Sequence, residues 1–312
     1  MIMGGNESFW FEAKADQLNP KVREGESLLA AFQKSLPQAR PGQKCCGWNG
    51  CSSGKMKLCR KANQRAIGSG RESDLTCGTL LFPQPFLPYL CMPVYFTAEL
   101  FRFLARLKRN NDRDWFLAHQ QEFETSVRQP ALRFITEFAA PLSEIAPHLV
   151  ADPRPSRGSM FRIYRDVRFS PDKRPYKTHV AMRFSHRGKD VHSPGFYLHL
   201  EPGGCFAACG LWRPQSPTLL KVRSAILSRS EQWRAVRPLL NWDDAGKLRR
   251  PPHGFPADHE FVEDLKLRDL GTSVNFTDKQ VCSPKFMSTF GGACRTMSPL
   301  AAFLSGAVGL KF

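Results

Sequence analysis

Between Arg154 and Lys189 the chain sets eleven basic residues against Asp166 and Asp172, a charge of +9 in 36 residues. Like charges this crowded repel unless something neutralises them. Arginine offers a planar fork of donors that matches carboxylate and phosphate, and tyrosine adds a rigid amphipathic wall. The segment carries Arg162, Tyr164, Arg165, Asp166 and Arg168, then Lys173, Tyr176, Lys177 and His179; Tyr197, His199, Glu201 and Trp212 follow it. Together they predict a site for an anionic ligand. His179, His199, Glu201 and Asp166 also have the side chains to bind a metal or to act as acid and base. Their cationic neighbours oppose a metal ion and would pair with the carboxylates instead. Neither a metal nor another cofactor is therefore expected.

Such residues need a frame, and the spacing of apolar positions supplies one. Thr97 to Lys108 has Leu100, Phe103, Leu104 and Leu107 on one helical face. The polar break Asn110-Asn111-Asp112 precedes a second predicted helix from Arg113 to about Val127. A third begins at Pro130 and runs toward Pro147. At Ser159 the period changes. Met160 to Phe169, His179 to Ser185, Phe196 to Glu201 and Phe206 to Trp212 alternate, with turn-rich links between them. Four strands so joined predict an antiparallel meander. Helical spacing returns over Leu219 to Val236, and two short helices are predicted at Pro284 to Phe290 and Ser298 to Val308. Helices, then strands, then helices packed on one face make an α+β fold.

Alternation assigns faces, because successive strand residues point to opposite sides. In the predicted first strand Phe161, Ile163, Arg165, Val167 and Phe169 share one side, and Arg162, Tyr164, Asp166 and Arg168 the other. Val180, Met182 and Phe184 oppose His179, Ala181 and Arg183, while Phe196, Leu198 and Leu200 oppose Tyr197, His199 and Glu201. One face is greasy; the other is dense in Arg, Tyr and His and is expected to meet solvent or ligand. Arg165 falls on the greasy side and needs a partner there, with Glu122 and Glu137 as candidates, a sheet edge or a hidden pocket being the alternatives. Ser170 to Lys177, stiffened by Pro171 and Pro175, reads either as a rigid hairpin turn or as a basic clamp. Trp115, Trp212 and Trp233 are expected in the core or a pocket wall.

The whole chain of 312 residues has 45 Lys+Arg against 28 Asp+Glu, a net +17. That balance points to nucleic acid, an anionic membrane surface, or phosphorylated or carboxylate ligands as partners. Met1 to Gly5 lacks a basic start and no apolar run follows before Glu7 and Glu12, so a reduced cytoplasmic setting is expected and the ten cysteines are expected to be free. Residues 1–91 show no sustained period beyond Leu28 to Phe32 and read as a disordered leader or an upstream extension before Met92. Cys45, Cys46, Cys51 and Cys59 lack the paired spacing of a zinc ribbon. Pro83, Pro85, Pro88 and Pro93 interrupt the uncharged stretch Leu75 to Ala98, so no membrane span is expected. A single domain from 96 to 312 is left.

That domain resembles a known family. Asn110-Asn111-Asp112-Arg113-Asp114-Trp115-Phe116 with His119, then Gly158 to Ser170, Lys173, Pro175 to His179, Gly195 to Gly203 and Gly210-Leu211-Trp212 are similar to the uncharacterised family catalogued as domain of unknown function 2461. Arg250-Pro251-Pro252, Gly254-Phe255 and Asp264-Leu265-Lys266 continue the likeness. The resemblance implies one compact domain from near Phe96 and implies no activity. After Arg268-Asp269 the sequence departs from the family pattern with Leu270-Gly271-Thr272-Ser273, which leaves the pairing of that segment open.

No glycine-rich phosphate loop, His-Glu-x-x-His pair or Gly-x-Ser-x-Gly elbow occurs. Two functions remain. A pocket that binds or processes a small anion would use Arg162, Arg168, Lys173, Tyr176, Lys177, His199 and Glu201. A nucleic-acid-binding module would use the same stripe, with affinity falling steeply in salt. The first is preferred, because no aromatic repeat or helix-turn-helix pattern supports the second. The sequence leaves oligomeric state and any reaction open.

Overall fold

The structure is a computed structural model that describes residues 93–188, 193–242 and 246–312, all within one compact unit. The expectations for the leader, its cysteines and its proline-broken apolar stretch lie outside the described residues, Pro93 to Ala98 apart. Among the described residues no helix is long and apolar enough to cross a membrane. Cys205, Cys209, Cys282 and Cys294 are free thiols.

The fold is α+β. Helix α1 (Ala98–Arg109) is followed by the short α2 (Arg113–Ala118) and α3 (Gln120–Phe123), a π-turn (Glu124–Arg128) and α4 (Gln129–Ile145). Leu100, Phe103, Leu104 and Leu107 of α1 are buried, as their spacing requires. The break between α1 and α2 is built from its own side chains. Asn110 donates to the Arg106 carbonyl at 3.0 Å, closing the end of α1, and Asp112 accepts from the Trp115 amide at 2.8 Å, capping α2.

Five strands form one antiparallel sheet in sequence order: β1 (Leu149–Val150), β2 (Val180–His186), β3 (Gly195–Leu200), β4 (Cys205–Leu211) and β5 (Leu270–Phe276). The three later strands of the expected meander are β2, β3 and β4. The expected first strand is different. Met160 to Phe169 makes only isolated pairings, Met160 with Met182 and Tyr164 with Tyr176. It forms an arm that starts along the edge of β2 and then doubles back on itself, with Arg165 and Lys177 amides donating to Pro175 and Ile163 carbonyls at 2.8 Å. Pro171 and Pro175, in the turn and return of the arm, have no amide to donate to the facing segment. The segment whose pairing was open is β5, joined to β4 from Leu270 opposite Leu211 to Phe276 opposite Cys205.

After β4 come α5 (Ser216–Ser228), α6 (Ser230–Val236), a 3-10 turn (Arg237–Leu239) and α7 (Val262–Leu265); α8 (Asp278–Val281) and α9 (Phe286–Ala307) follow β5. The two predicted C-terminal helices are one. Pro299 removes the amide that would bond the Arg295 carbonyl, but the Ser298 hydroxyl donates to that carbonyl at 2.8 Å. Phe290, Cys294, Met297 and Leu300 along α9 are fully buried, and this packing holds the helix together across Gly291, Gly292 and Pro299.

The register sorts the sheet into two faces. Val180, Met182, Phe184, Phe196, Leu198, Leu200, Cys205, Ala207 and Cys209 share the core with α1, α4 and α9. Ala181, Tyr197, Phe206 and Ala208 form a smaller cluster on the opposite face, packed by Phe161 and Trp242. Gly271 of β5 makes room for that cover, since a Cβ there would lie 2.5 Å from the Trp242 ring. This part of the second face is thus covered by protein side chains rather than open to solvent.

Candidate functional site

One part of that face is polar. The ladder between β2 and β3 ends at Val180 opposite Leu200, and one further step places His179 opposite Glu201. His199 lies two residues back from Glu201 on the same face. Three potential ligand groups therefore converge at the end of the ladder. Their ligand atoms all lie within 4.8 Å of one another. The rings of His179 and His199 are 4.3 Å apart, and His199 Nε2 is 3.5 Å from Glu201 Oε2.

Surrounding side chains fix the orientation of His199. The Tyr197 hydroxyl lies 3.0 Å from its Nδ1, and the Phe206 ring stacks on it at 4.8 Å between centroids. Burial is nearly complete, with His199 at 0% and Lys177 at 3% relative exposure. Lys177 Nζ lies 5.4 Å from the Phe161 ring centre, a cation–π contact. Only the Glu201 end approaches the surface. There Glu201 Oε1 meets Lys108 Nζ at 3.3 Å and the Thr178 hydroxyl at 3.5 Å, and its side chain keeps 16% exposure.

Burial pushes the pKa of His179 well below the ordinary histidine value, and the charges of His199, Lys177 and Arg165 act in the same direction. Burial raises that of Glu201, but its hydrogen bond to His199 and the charges of His199 and Lys108 outweigh this and leave it lowered. The site thus holds a neutral imidazole close to an ionised carboxylate.

The structure gathers Lys177, His179, Tyr197, His199 and Glu201 from the set read in the sequence. Arg165 lies near enough for its charge to act on His179; the others lie elsewhere. Arg162 and Lys173 are exposed, and Lys173 donates to the Val167 carbonyl at 3.1 Å. Asp166 and Arg168 pair with each other at 2.7 Å on the arm, and the guanidinium lowers the Asp166 pKa to about 2. Tyr164 is half exposed; Tyr176 is buried and stacks on Phe116 at 4.1 Å. Trp212 is buried and meets Trp242 edge-on at 5.9 Å.

Neither expected partner serves Arg165. It bonds Asp172 at 2.8 Å and the Arg174 carbonyl at 3.2 Å, because the turn at Ser170 to Lys173 folds Asp172 back beside it. Glu122 is bound by Arg106, and Glu137 by Arg133 and Tyr95. Phe169, expected on the greasy side, is 84% exposed at the turn. Sequence reasoning missed Phe206, Phe161, Thr178 and Lys108. The β4 alternation could have placed Phe206 beside His199; Lys108 belongs to a distant helix and left no signal.

The profile of a conserved hypothetical protein family, DUF2461, matches residues 99–303. The chain belongs to this family. The DUF2461 match spans α1 through most of α9 and includes every residue of the polar cluster. No curated protein and no solved structure matches the chain.

Proposed function

We propose that this DUF2461 protein binds a small carboxylate- or phosphate-bearing molecule at the Lys177, His179, Tyr197, His199 and Glu201 cluster. The observation that supports this most is the burial of an ammonium, two imidazoles and a phenol beside a partly buried carboxylate, on the side of the sheet opposite the main core. Placing such groups away from water costs several kcal/mol unless they are well bonded, so a purely structural face would carry apolar side chains more cheaply. Perturbed titratable groups gathered in this way are a general mark of functional sites. In a desolvated setting, an ammonium and ring donors hold an anion far more strongly than they would in water. Lys108 and Glu201, at the exposed end, mark the side of approach.

A thermal-shift screen of the full chain against phosphates, nucleotides and carboxylates tests this reading. Stabilisation by a subset of these, lost in Lys177→Met and His199→Gln, is the expected result. No stabilisation by any of them, or stabilisation unchanged in both variants, overturns it.

A second reading rests on the arm. Phe169 projects into solvent beside exposed Arg168, with Arg162, Lys173 and Arg174 also exposed nearby. An exposed aromatic among cations suits stacking on single-stranded nucleic acid. Binding of oligonucleotides with a steep salt dependence would favour it.

A further inference from the structure

We propose that His179, His199 and Glu201 form a binding site for one first-row divalent metal ion, held by two imidazole nitrogens and one carboxylate oxygen. The inference deepens the anion reading and rests on it for the location of the site. The ion would offer an open coordination position to the carboxylate or phosphate.

The donor set is the first support. Two histidines and one carboxylate on one side of an ion, with the remaining positions open, is the arrangement that suits zinc or iron(II) when a further ligand must bind. Geometry is the second. At 3.5 Å, the His199 Nε2 to Glu201 Oε2 separation is long for a strong hydrogen bond. It is close to the edge of a tetrahedron whose corners lie about 2.1 Å from an ion, which is about 3.4 Å. The widest separation in the trio, at most 4.8 Å, closes to that edge with a movement of about 1.4 Å.

Orientation around the ligands is the third. Metal-bound histidines generally hold their second nitrogen on a polar partner, which fixes the tautomer. Tyr197 provides that for His199 at 3.0 Å, leaving Nε2 directed at Glu201, while Phe206 fixes the ring plane.

The cationic neighbours are less of an obstacle than their number suggests. Arg165 is bound by Asp172, Arg168 by Asp166, and Lys108 by the Glu201 oxygen that does not face His199. Lys177 Nζ lies over the Phe161 ring at 5.4 Å, a contact that disperses part of its charge.

The test uses the full chain stripped with a chelator and titrated with cobalt(II), followed by visible absorption and X-ray absorption. Cysteines in residues 1–91 would announce themselves by thiolate-to-cobalt charge transfer, so the population to follow is the one without it. Two imidazoles on that cobalt, an affinity weakened at least about tenfold in Glu201→Gln, and loss of the site in His179→Gln are expected. Absence of histidine-bound cobalt in the unaltered chain overturns the proposal, as does an affinity unchanged in a folded Glu201→Gln variant. If a variant fails to fold, the imidazole count in the unaltered chain decides alone. Thermal shifts with inorganic phosphate and succinate separate the two readings. Stabilisation of the metal-free chain without histidine-bound cobalt leaves the anion reading standing and removes the metal. Cobalt on two imidazoles with no response to either anion does the reverse.

Discussion

Asn111 and Tyr176 exchange two hydrogen bonds across 65 residues: the amide of Asn111 donates to the Tyr176 carbonyl at 2.9 Å, and the Tyr176 N–H donates to Asn111 Oδ1 at 3.0 Å. A side chain in the α1–α2 break thus acts as a strand neighbour to the arm, just before Lys177 and His179. Asn111→Ala removes both bonds and leaves two backbone groups without them. At about 1 kcal/mol per bond, the loss is about 2 kcal/mol of unfolding free energy, measurable by denaturant titration. Because the same bonds position Lys177 and His179, ligand-induced stabilisation should fall as well. An unchanged ligand response in a destabilised variant would show that the clamp holds the fold without tuning the site.

His179 gives the fold a pH dependence of known sign. Its folded-state pKa lies well below the value of about 6.5 that it takes when unfolded. The unfolded chain therefore binds the proton more readily. Stability is fully present above about pH 6.5 and is lost as pH falls from there toward the depressed folded value. His199, Lys177 and Arg165 all face the ring with charges that oppose its protonation. Chemical denaturation at about pH 7.5 and about pH 5.5 should show a smaller loss of stability in His179→Gln than in the unaltered chain. Equal losses would exclude His179 as the source.

The sorting of faces was legible because strands have a fixed period of two. The alternation of Val180, Met182 and Phe184 and of Phe196, Leu198 and Leu200 is enough to put His199 and Tyr197 on the side away from the core. What covers that side was not legible. Phe161 arrives on an arm that the same alternation misread as a strand, and Trp242 arrives from beyond α6. Periodicity reports a segment's own faces and says nothing of what packs on them. The partner of Arg165 was missed for a related reason. Asp172 is only seven residues away, and a tight turn rather than any period brings it back. The continuity of α9 also depended on tertiary burial, which overrode Pro299 and two glycines.

Asp264 sits beside a further apolar cluster, in which Ile226, Trp233, Leu265, Leu300 and Leu304 are buried. It is buried, accepts from the Trp233 indole at 2.9 Å and from Arg237 Nε at 2.7 Å, and both bonds reach the same oxygen. Trp233 is itself fully buried against Phe303. Asp264→Ala leaves the indole N–H and the guanidinium without that acceptor, at a cost of about 3 kcal/mol. Asp264→Asn keeps the shape and an acceptor but loses the charge, and should cost less. Urea unfolding of the two variants checks the order, which a mere volume effect would not produce.

Phe169 separates the two binding readings. At 84% exposure its side chain buries almost nothing, so Phe169→Ser should change stability by less than about 0.5 kcal/mol. If the arm stacks on nucleic acid, the same change should weaken oligonucleotide binding by about 1 to 3 kcal/mol, since that is the usual contribution of one base stacked on an aromatic ring. Removing Arg168 as well should flatten the salt dependence by about one phosphate contact. Stabilisation by small anions should be untouched by either change, because Arg168 is bound to Asp166 on the arm and neither side chain belongs to the buried cluster. Loss of small-anion stabilisation in Phe169→Ser would mean that the ligand reaches the turn of the arm, and the assignment of the site to Lys177, His179, Tyr197, His199 and Glu201 would fail.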